Sequence, residues 1–449
     1  MNKSITTLTR RDFLKRAVAA SAVFAAPGIL ASAAPNNRVN VGLIGCGNIG
    51  SNYHMKFLGE MADVRIIAVA DAYTSRREAA VAKLSKKYGE TGTVKPHADF
   101  REILARSDVD AVVIGAHDNW HIPMSIAAAK AGKDVYCQKP LALDFNLTRS
   151  LRNMFRQTGR IFQFGTQYRS MARYRLMVQL VRNGYIGWLK HIDVWCRDVS
   201  FNVDKYNVKP YGATAQASVP EDLDFDAWMG PSEMVPYTVD RATCWGGYHC
   251  PETSLGFIAG CAIHELGLVQ WANRTDHTSP IRYEGTGTVP AEGVFRTLER
   301  WDVKCDYANG VTMRFMDQRT AKDAIGKVLP GWHPYDGVIF HGTEGWISDA
   351  EGFCSSNQKL WKTEFRRSDE QLPVSPEHNR NFIDCVKSRK ETMCPVEMAI
   401  RCDTIPHLAN IAARTGRVIN WDPVREEIIG DRNAARMLTR PYRAKWRVW

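Results

Sequence analysis

From residue 38 onward, short runs of apolar residues alternate with segments whose apolar positions recur at helical spacing. Residues 39–44 read as a strand, 48–61 as a helix and 64–70 as a second strand. Helical spacing returns over 76–88, a buried strand over 111–115, a helix over 122–131, and a strand over 134–137. One more helix over 145–158 and a strand over 161–165 complete the run. Strands that alternate with helices in this way predict a doubly wound, parallel Rossmann sheet, here an N-terminal domain over residues 36–165.

The rhythm then changes. Longer strands are predicted at 191–197, 281–288, 301–307, 311–316, 338–342 and 345–348, with few crossover helices. Asn309-Gly310 between two of them is a tight-turn signal for a hairpin. These features predict a C-terminal α+β domain over 166–449 built on an open, mainly antiparallel sheet that packs one face on helices. Residues 200–250, rich in Pro, Gly, Tyr and Trp without periodicity, read as long loops near a site.

Of 449 residues, 45% are hydrophobic and 24% charged, an ordinary balance for a folded chain with a sizeable core. The net charge is +11, of which residues 1–33 hold +4. Positive residues elsewhere are spread rather than massed, which suits an anionic cofactor and argues against nucleic acid. Thr9-Arg10-Arg11-Asp12-Phe13-Leu14-Lys15 precedes a modest apolar run and Ala31-Ser32-Ala33. This pattern resembles a twin-arginine export signal spanning 1–33, too short to cross a bilayer, so a periplasmic protein without a stable membrane span is expected. Eleven cysteines lie after that segment with no Cys-x-x-Cys pair, so no metal site is expected.

Gly45-Cys46-Gly47-Asn48-Ile49-Gly50 falls between the first predicted strand and helix. Glycines there permit a tight turn and close approach of backbone to a pyrophosphate, while the helix N-terminus offers N–H groups. Asp71 ends the second predicted strand 21 residues after Gly50, where a carboxylate can accept hydrogen bonds from a ribose diol. Asn48 and Ile49 are placed on the pyrophosphate and Asp71 on the ribose, and Asp71 favours NAD. Arg76 and Arg77, just beyond it, leave NADP open as the alternative.

Val135-Tyr136-Cys137-Gln138-Lys139-Pro140-Leu141 resembles the segment around the Glu-Lys-Pro motif of the glucose-fructose oxidoreductase and inositol dehydrogenase (Gfo/Idh/MocA) family. Asp118-Asn119-Trp120-His121-Ile122-Pro123, Gly165-Thr166-Gln167-Tyr168-Arg169 and Gly342-Thr343-Glu344-Gly345-Trp346 share the resemblance. It implies that Lys139 deprotonates or polarises a substrate hydroxyl, that Gln138 stands beside the cofactor, and that Trp120 and His121 lie near the nicotinamide. His121 reads equally as a residue capping the following helix. Tyr168 and Arg169 read either as sugar contacts or as interdomain packing.

The family's Asp-x-x-x-His motif is matched at His264, but Gly260 stands where the Asp belongs, and Gln138 replaces the motif Glu. His264 then acts alone, or with Glu265, Glu252 or His249; a core histidine is the plainer reading. The resemblance implies an NAD(P)-dependent oxidoreductase acting on a secondary hydroxyl of a sugar or glycoside, a homo-oligomer through its C-terminal sheet. Export beyond the cytoplasmic NAD pool implies a tightly held cofactor reset within the site. Redox-neutral glycoside hydrolysis on bound NAD and non-catalytic sugar binding are the alternatives.

Overall fold

The computed structural model describes residues 38–199, 211–326, 335–350 and 352–447, so the twin-arginine reading and part of the 200–250 loop lie outside the described residues. Six strands build the first sheet: β1 (Val39–Ile44), β2 (Val64–Ala70), β3 (Lys95–His97), β4 (Ala111–Ile114), β5 (Asp134–Cys137) and β6 (Phe162–Phe164). All pair in parallel, in the order β3-β2-β1-β4-β5-β6. β1 and β4 are buried almost throughout, because a parallel sheet covered by helices on both faces is apolar on both. The winding reverses between β1 and β4. Their carboxyl ends therefore open the crevice in which doubly wound sheets hold ligands.

Three local differences from the sequence reading have identifiable causes. β3 was not expected, since Lys95-Pro96-His97 is short and largely exposed; it lies on the sheet edge, where a proline costs no ladder hydrogen bond. The helix expected over 48–61 opens as a π-helical turn, Ile49–His54, before the α-helix Met55–Glu60. The helix expected from residue 122 begins at Asp118 and runs to Lys130. Its first turn is polar yet buried, so apolar spacing passes over it.

The second sheet has nine strands: β7 (Leu189–Cys196), β8 (Arg282–Thr288), β9 (Arg300–Asp306), β10 (Thr312–Asp317), β11 (Gly337–Gly342), β12 (Trp346–Ser348), β13 (Cys354–Ser355), β14 (Ile419–Asp422) and β15 (Glu427–Ile429). Their order is β13-β12-β11-β7-β10-β9-β8-β14-β15, and only β7 and β10 pair in parallel. The Asn309-Gly310 turn joins β9 to β10, with Gly310 at φ +84°. The helices Ile263–Ala272 and Val396–Thr415 cover one face. Val396–Thr415 is buried on all sides and so lacks the one-sided apolar stripe that marks a surface helix.

That long helix also ties the two halves together. Asp403 is fully buried, and its carboxylate accepts from the backbone N–H groups of Leu141 and Ala142, each at 3.1 Å. The segment just after Lys139-Pro140 is thus held by the C-terminal half. Asp144 similarly accepts from Arg440 N at 3.0 Å, and Phe145 N donates to Leu438 O at 3.0 Å. Among the described residues no helix is long and apolar enough to cross a membrane.

Candidate functional site

A cleft of about 590 Å³ lies over the carboxyl ends of β1, β2 and β4. Gly45 sits at φ +94°, and a Cβ there would stand 2.5 Å from the Gly115 carbonyl, so β1 and β4 approach only because the residue is glycine. A Cβ on Gly50 would lie 2.1 Å from Gly45 O, which fixes the tight turn into the following helix. Gly47 differs: the one atom near its missing Cβ is Arg76 Nη1, at 3.8 Å. Two glycines shape the loop and the third leaves its surface open to a ligand's phosphates. Asn48 and Ile49 line the cleft beside it.

Asp71 also lines the cleft. Its carboxylate accepts from Cys46 N at 2.7 Å and Tyr73 N at 2.9 Å, which orients it and leaves a lone pair on each oxygen for a diol. Burial raises its pKa, against the two N–H groups and the charges of Arg76 and Arg77. Arg76 lines the cleft with its guanidinium 4.0 Å from the Tyr73 ring centre, whereas Arg77 turns back to donate to Asp71 O at 2.6 Å. The loop and carboxylate therefore fit an adenine dinucleotide. Ala227, Trp228, Tyr248 and Trp446, from the second half of the chain, complete the wall.

At the other end of the cleft stand Gln138 and Lys139. Gln138 is buried and its Nε2 donates to His54 Nε2 at 2.9 Å, while His54 Nδ1 donates to Asn379 Oδ1 at 2.9 Å. Burial lowers His54 to about 3, so the ring is neutral and that tautomer satisfies both partners. A glutamate at 138 would place a charge against this imidazole; the amide does not.

The Lys139–Pro140 peptide is cis. Lys139 Nζ donates to the carbonyl of Gly260 and lies 5.7 Å from the Tyr248 ring centre. Tyr248 occupies the space a side chain at 260 would enter, with its Cδ1 3.2 Å from the missing Cβ.

His121 is turned from the cleft and lies between the carbonyls of Pro140, at 2.5 Å from Nδ1, and Ala116, at 3.1 Å from Nε2. Burial lowers it to about 4. It braces the turn that carries Lys139. Trp120 lines the cleft and donates from Nε1 to Ala227 O at 3.1 Å.

Sequence reasoning did not single out Asp118. It lines the cleft, is 3% exposed, and its Oδ2 is buried without a hydrogen-bond partner. Burial pushes its pKa up to about 7, against a hydrogen bond from Ser254 and the nearby charge of Lys139. An acidic residue one turn before an apolar helix is a common capping pattern, so nothing in the sequence separated it from an ordinary cap. The carboxylate that the Asp-x-x-x-His motif lacks at 260 has a counterpart here, on the nucleotide-binding half.

His264 opens the helix Ile263–Ala272 and stacks on Tyr168 at 4.8 Å, which stacks in turn on Tyr174 at 4.1 Å. Its Nδ1 is buried without a partner, and burial, with Lys139 next, lowers the imidazole well below its ordinary value. Glu265 is 1% exposed with Oε2 unpartnered; burial, then Asp336 and Asp349, pushes its pKa well up, which favours the protonated, donor form. Burial raises Asp349 to about 7 as well.

Arg169 forms a two-pronged pair with Asp276 (2.9 and 2.5 Å) and donates to Gly267 O at 2.8 Å, away from the cleft. Glu252 pairs with Arg241 at 2.8 Å, and His249 packs between Trp245, Phe257 and Phe295. Neither stands beside His264. The ten described cysteines are free, and no described group of His, Cys, Asp or Glu could hold a metal ion.

Residues 39–166 match the oxidoreductase family model with an NAD-binding Rossmann fold, and residues 171–448 match the same family's C-terminal alpha/beta domain. The inositol 2-dehydrogenase of Rhizobium meliloti (strain 1021) is 29% identical over 205 residues, 45% of this chain and 58% of that protein. A glycosyl hydrolase family 109 protein of Shewanella sp. (strain W3-18-1) is 27% identical over 204 residues, 40% of this chain and 44% of that one. These alignments span less than two thirds of the relatives' own length.

Among solved structures, the WlbA dehydrogenase from Bordetella pertussis in complex with NADH and UDP-GlcNAcA superposes with TM-score 0.61 at 16% identity, over 86% of this chain and 98% of that one. The myo-inositol 2-dehydrogenase from Lactobacillus plantarum gives 0.58 at 17%, over 85% and 99%. At such identities the likeness is one of fold. With both halves matched in order, the chain belongs to the Gfo/Idh/MocA oxidoreductase family, with an NAD-binding Rossmann domain followed by that family's C-terminal α/β domain.

Proposed function

We propose that this protein oxidises or reduces a secondary hydroxyl of a sugar or glycoside on an NAD that stays bound through turnover. The carrying observation is Lys139, which stands at the end of the dinucleotide cleft with its ammonium on Gly260 O, three residues before the helix of His264 and Glu265. When bound, the nicotinamide exchanges hydride with the carbinol carbon. In oxidation Lys139 first gives an ammonium proton to the Asp118 carboxylate, which keeps one oxygen free and feels the lysine's charge, and the resulting amine takes the hydroxyl proton; in reduction the steps reverse. His264 and Glu265 offer an acceptor and a donor to the substrate's other hydroxyls, and Tyr168, stacked between His264 and Tyr174, holds the imidazole in place. NADP is disfavoured because Asp71 would face a 2′-phosphate.

Export by a twin-arginine route to the periplasm is part of the proposal, supported by the Arg10-Arg11 segment. So is self-association through the C-terminal sheet. Its outer face carries paired charges, Arg314 with Asp302 at 2.7 Å and His341 with Asp193 at 2.9 Å. Similarity to a glycosyl hydrolase family 109 protein favours a second reading, glycoside cleavage through transient oxidation with no net redox change.

The test is to purify the protein from the periplasm and identify the nucleotide released on denaturation by mass spectrometry. Sugars and chromogenic glycosides are then screened for a change in nicotinamide absorbance. Bound NAD that a sugar reduces supports oxidation; aglycone release without an added acceptor supports the second reading. Protein that carries no NAD and binds none overturns both.

A further inference from the structure

Two segments of the C-terminal half contribute to the wall of the cleft. Residues 222–232 are stitched to the chain just after Asp71: Thr74 N donates to Asp222 O at 2.8 Å and Asp224 N to Ala72 O at 3.1 Å. Ser75 Oγ adds a bond to Asp222 Oδ2 at 2.6 Å. On the β4 side, Asn119 Nδ2 donates to Met229 O at 2.8 Å and Ser232 Oγ at 3.0 Å. This strap spans from the end of β2 to the end of β4, across the cleft mouth.

The chain's end latches the strap. Arg443 Nε donates to Gly230 O at 2.9 Å and Ser232 O at 2.8 Å, and its backbone N–H to Pro231 O at 2.9 Å. Asp226 accepts from Arg443, from Lys445 Nζ at 2.5 Å and from Trp446 Nε1 at 3.2 Å.

The latch seats Trp446 against Trp120 at 5.4 Å, and Trp120 against Phe100 at 5.3 Å. Trp228 meets His117 at 4.8 Å. All five side chains line the cleft, as does Asp71. A flat heteroaromatic ring next to a ribose is the ligand chemistry that such walls suit. The indole N–H of Trp228 is buried without a partner, a donor that a ring nitrogen would satisfy.

We infer that residues 222–232 and 443–446 form a latched clamp over the adenosine of the bound dinucleotide, with Trp228 and Trp446 as walls of the purine compartment. Opening this clamp sets the rate at which nucleotide leaves. The inference rests on the reading that the cofactor is retained, and it supplies the device that retains it: a nucleotide held by Asp71 and the glycine loop alone would be open to solvent at its adenosine end.

The test loads the protein with NAD, chases with isotope-labelled NAD, and follows exchange by mass spectrometry of the nucleotide left on the protein. Asp226→Ala removes three latch bonds at once, Ser75→Ala one strap bond, and a chain ending at Tyr442 the whole latch. Release from Asp226→Ala and from the shortened chain is expected to quicken by about tenfold or more, with Ser75→Ala a few-fold and well folded. Slow exchange in the parent with unchanged exchange in all three variants overturns the clamp and leaves retention standing. Exchange within seconds in the parent overturns retention and the clamp together. If the shortened chain does not fold, Asp226→Ala and Ser75→Ala decide the matter.

Discussion

The two ends of the cleft treat their acidic side chains in opposite ways. At the Asp71 end the carboxylates of Asp71 and, in the strap, Asp226 accept from groups of the protein on both oxygens, and the strap joins Asp222 to Ser75. At the Lys139 end Asp118 keeps one buried oxygen without a partner; Glu265 Oε2 and His264 Nδ1, on residues that do not line the cleft, are buried and unpartnered as well. An unpaired buried polar atom costs about 1–3 kcal/mol, so each of these is a load on the fold. Such atoms are tolerable where a substrate supplies the missing bonds. On the proposed function, paired carboxylates suit a ligand that stays and an idle carboxylate oxygen suits one that comes and goes.

Lys139→Met gives the largest effect expected. It removes the proton carrier from the reacting end and leaves the glycine loop, Asp71 and the roof untouched. Turnover on a confirmed substrate should fall by about 10² to 10⁴ while bound NAD, measured after denaturation, stays at the parental level. A variant that loses its nucleotide instead would show that the two ends are not separable.

Asp71→Ala sharpens the comparison from the other side. Losing the diol acceptor should weaken NAD roughly ten- to hundredfold and narrow the preference over NADP, read by calorimetry on stripped protein. Because Asp71 also caps Cys46 N and Tyr73 N, a small loss of melting temperature should accompany it. An unchanged affinity would remove Asp71 from the ribose.

Asp118→Asn is smaller and depends on pH. Burial holds the folded-state pKa near 7, well above the ordinary carboxyl value, so the proton is bound more tightly in the folded chain. The stability this confers is full below about pH 4 and is lost as pH rises through about 7. The amide carries no such loss, so the variant should melt about 2 °C or more above the parent at pH 8, with the gap closing at pH 5. Asp349, raised to about 7 by the same cause, keeps a residual slope in both proteins. The parent's rate should rise through pH 7 as Asp118 becomes able to hold a proton, and the variant should lack that limb. Matching rate profiles would exclude Asp118 from proton transfer.

The legibility of the sequence follows the same division. The glycine loop, Asp71, the parallel sheet and Lys139 are encoded locally, through residue type at fixed spacing in a strand-turn-helix unit, and they could be read from the chain. The roof could not. Trp228 and Trp446 reach the cleft from 157 and 375 residues beyond Asp71, and a lone Trp in a loop carries no signal of what it covers. Asp118 was hidden for a different reason: its distinction is burial with an idle oxygen, a property of packing. Arg169 and His121 carried a motif's resemblance, but the pair of Arg169 with Asp276 and the place of His121 between the Pro140 and Ala116 carbonyls, one of which its single N–H reaches, put them in the framework behind the site.

Gly260 decides whether the reacting end has lost a group or been rebuilt around another. A degraded site would leave a vacancy at 260 for the motif's aspartate. Here Tyr248 fills that space, the Gly260 carbonyl itself holds Lys139, and Asp118 brings a carboxylate from the opposite half. A Cβ at 260 meets Tyr248 at 3.2 and 3.4 Å, so the ring would have to give by a few tenths of an ångström. An added carboxylate would also compete with the Gly260 carbonyl for the Lys139 ammonium. Gly260→Asp is therefore expected to bring no gain, with kcat/KM within about threefold of the parent or below it, whereas His264→Ala should lower it about tenfold or more. Measured on the sugar that reduces the bound cofactor, a rate raised by Gly260→Asp together with an indifferent His264→Ala would show that the site had decayed.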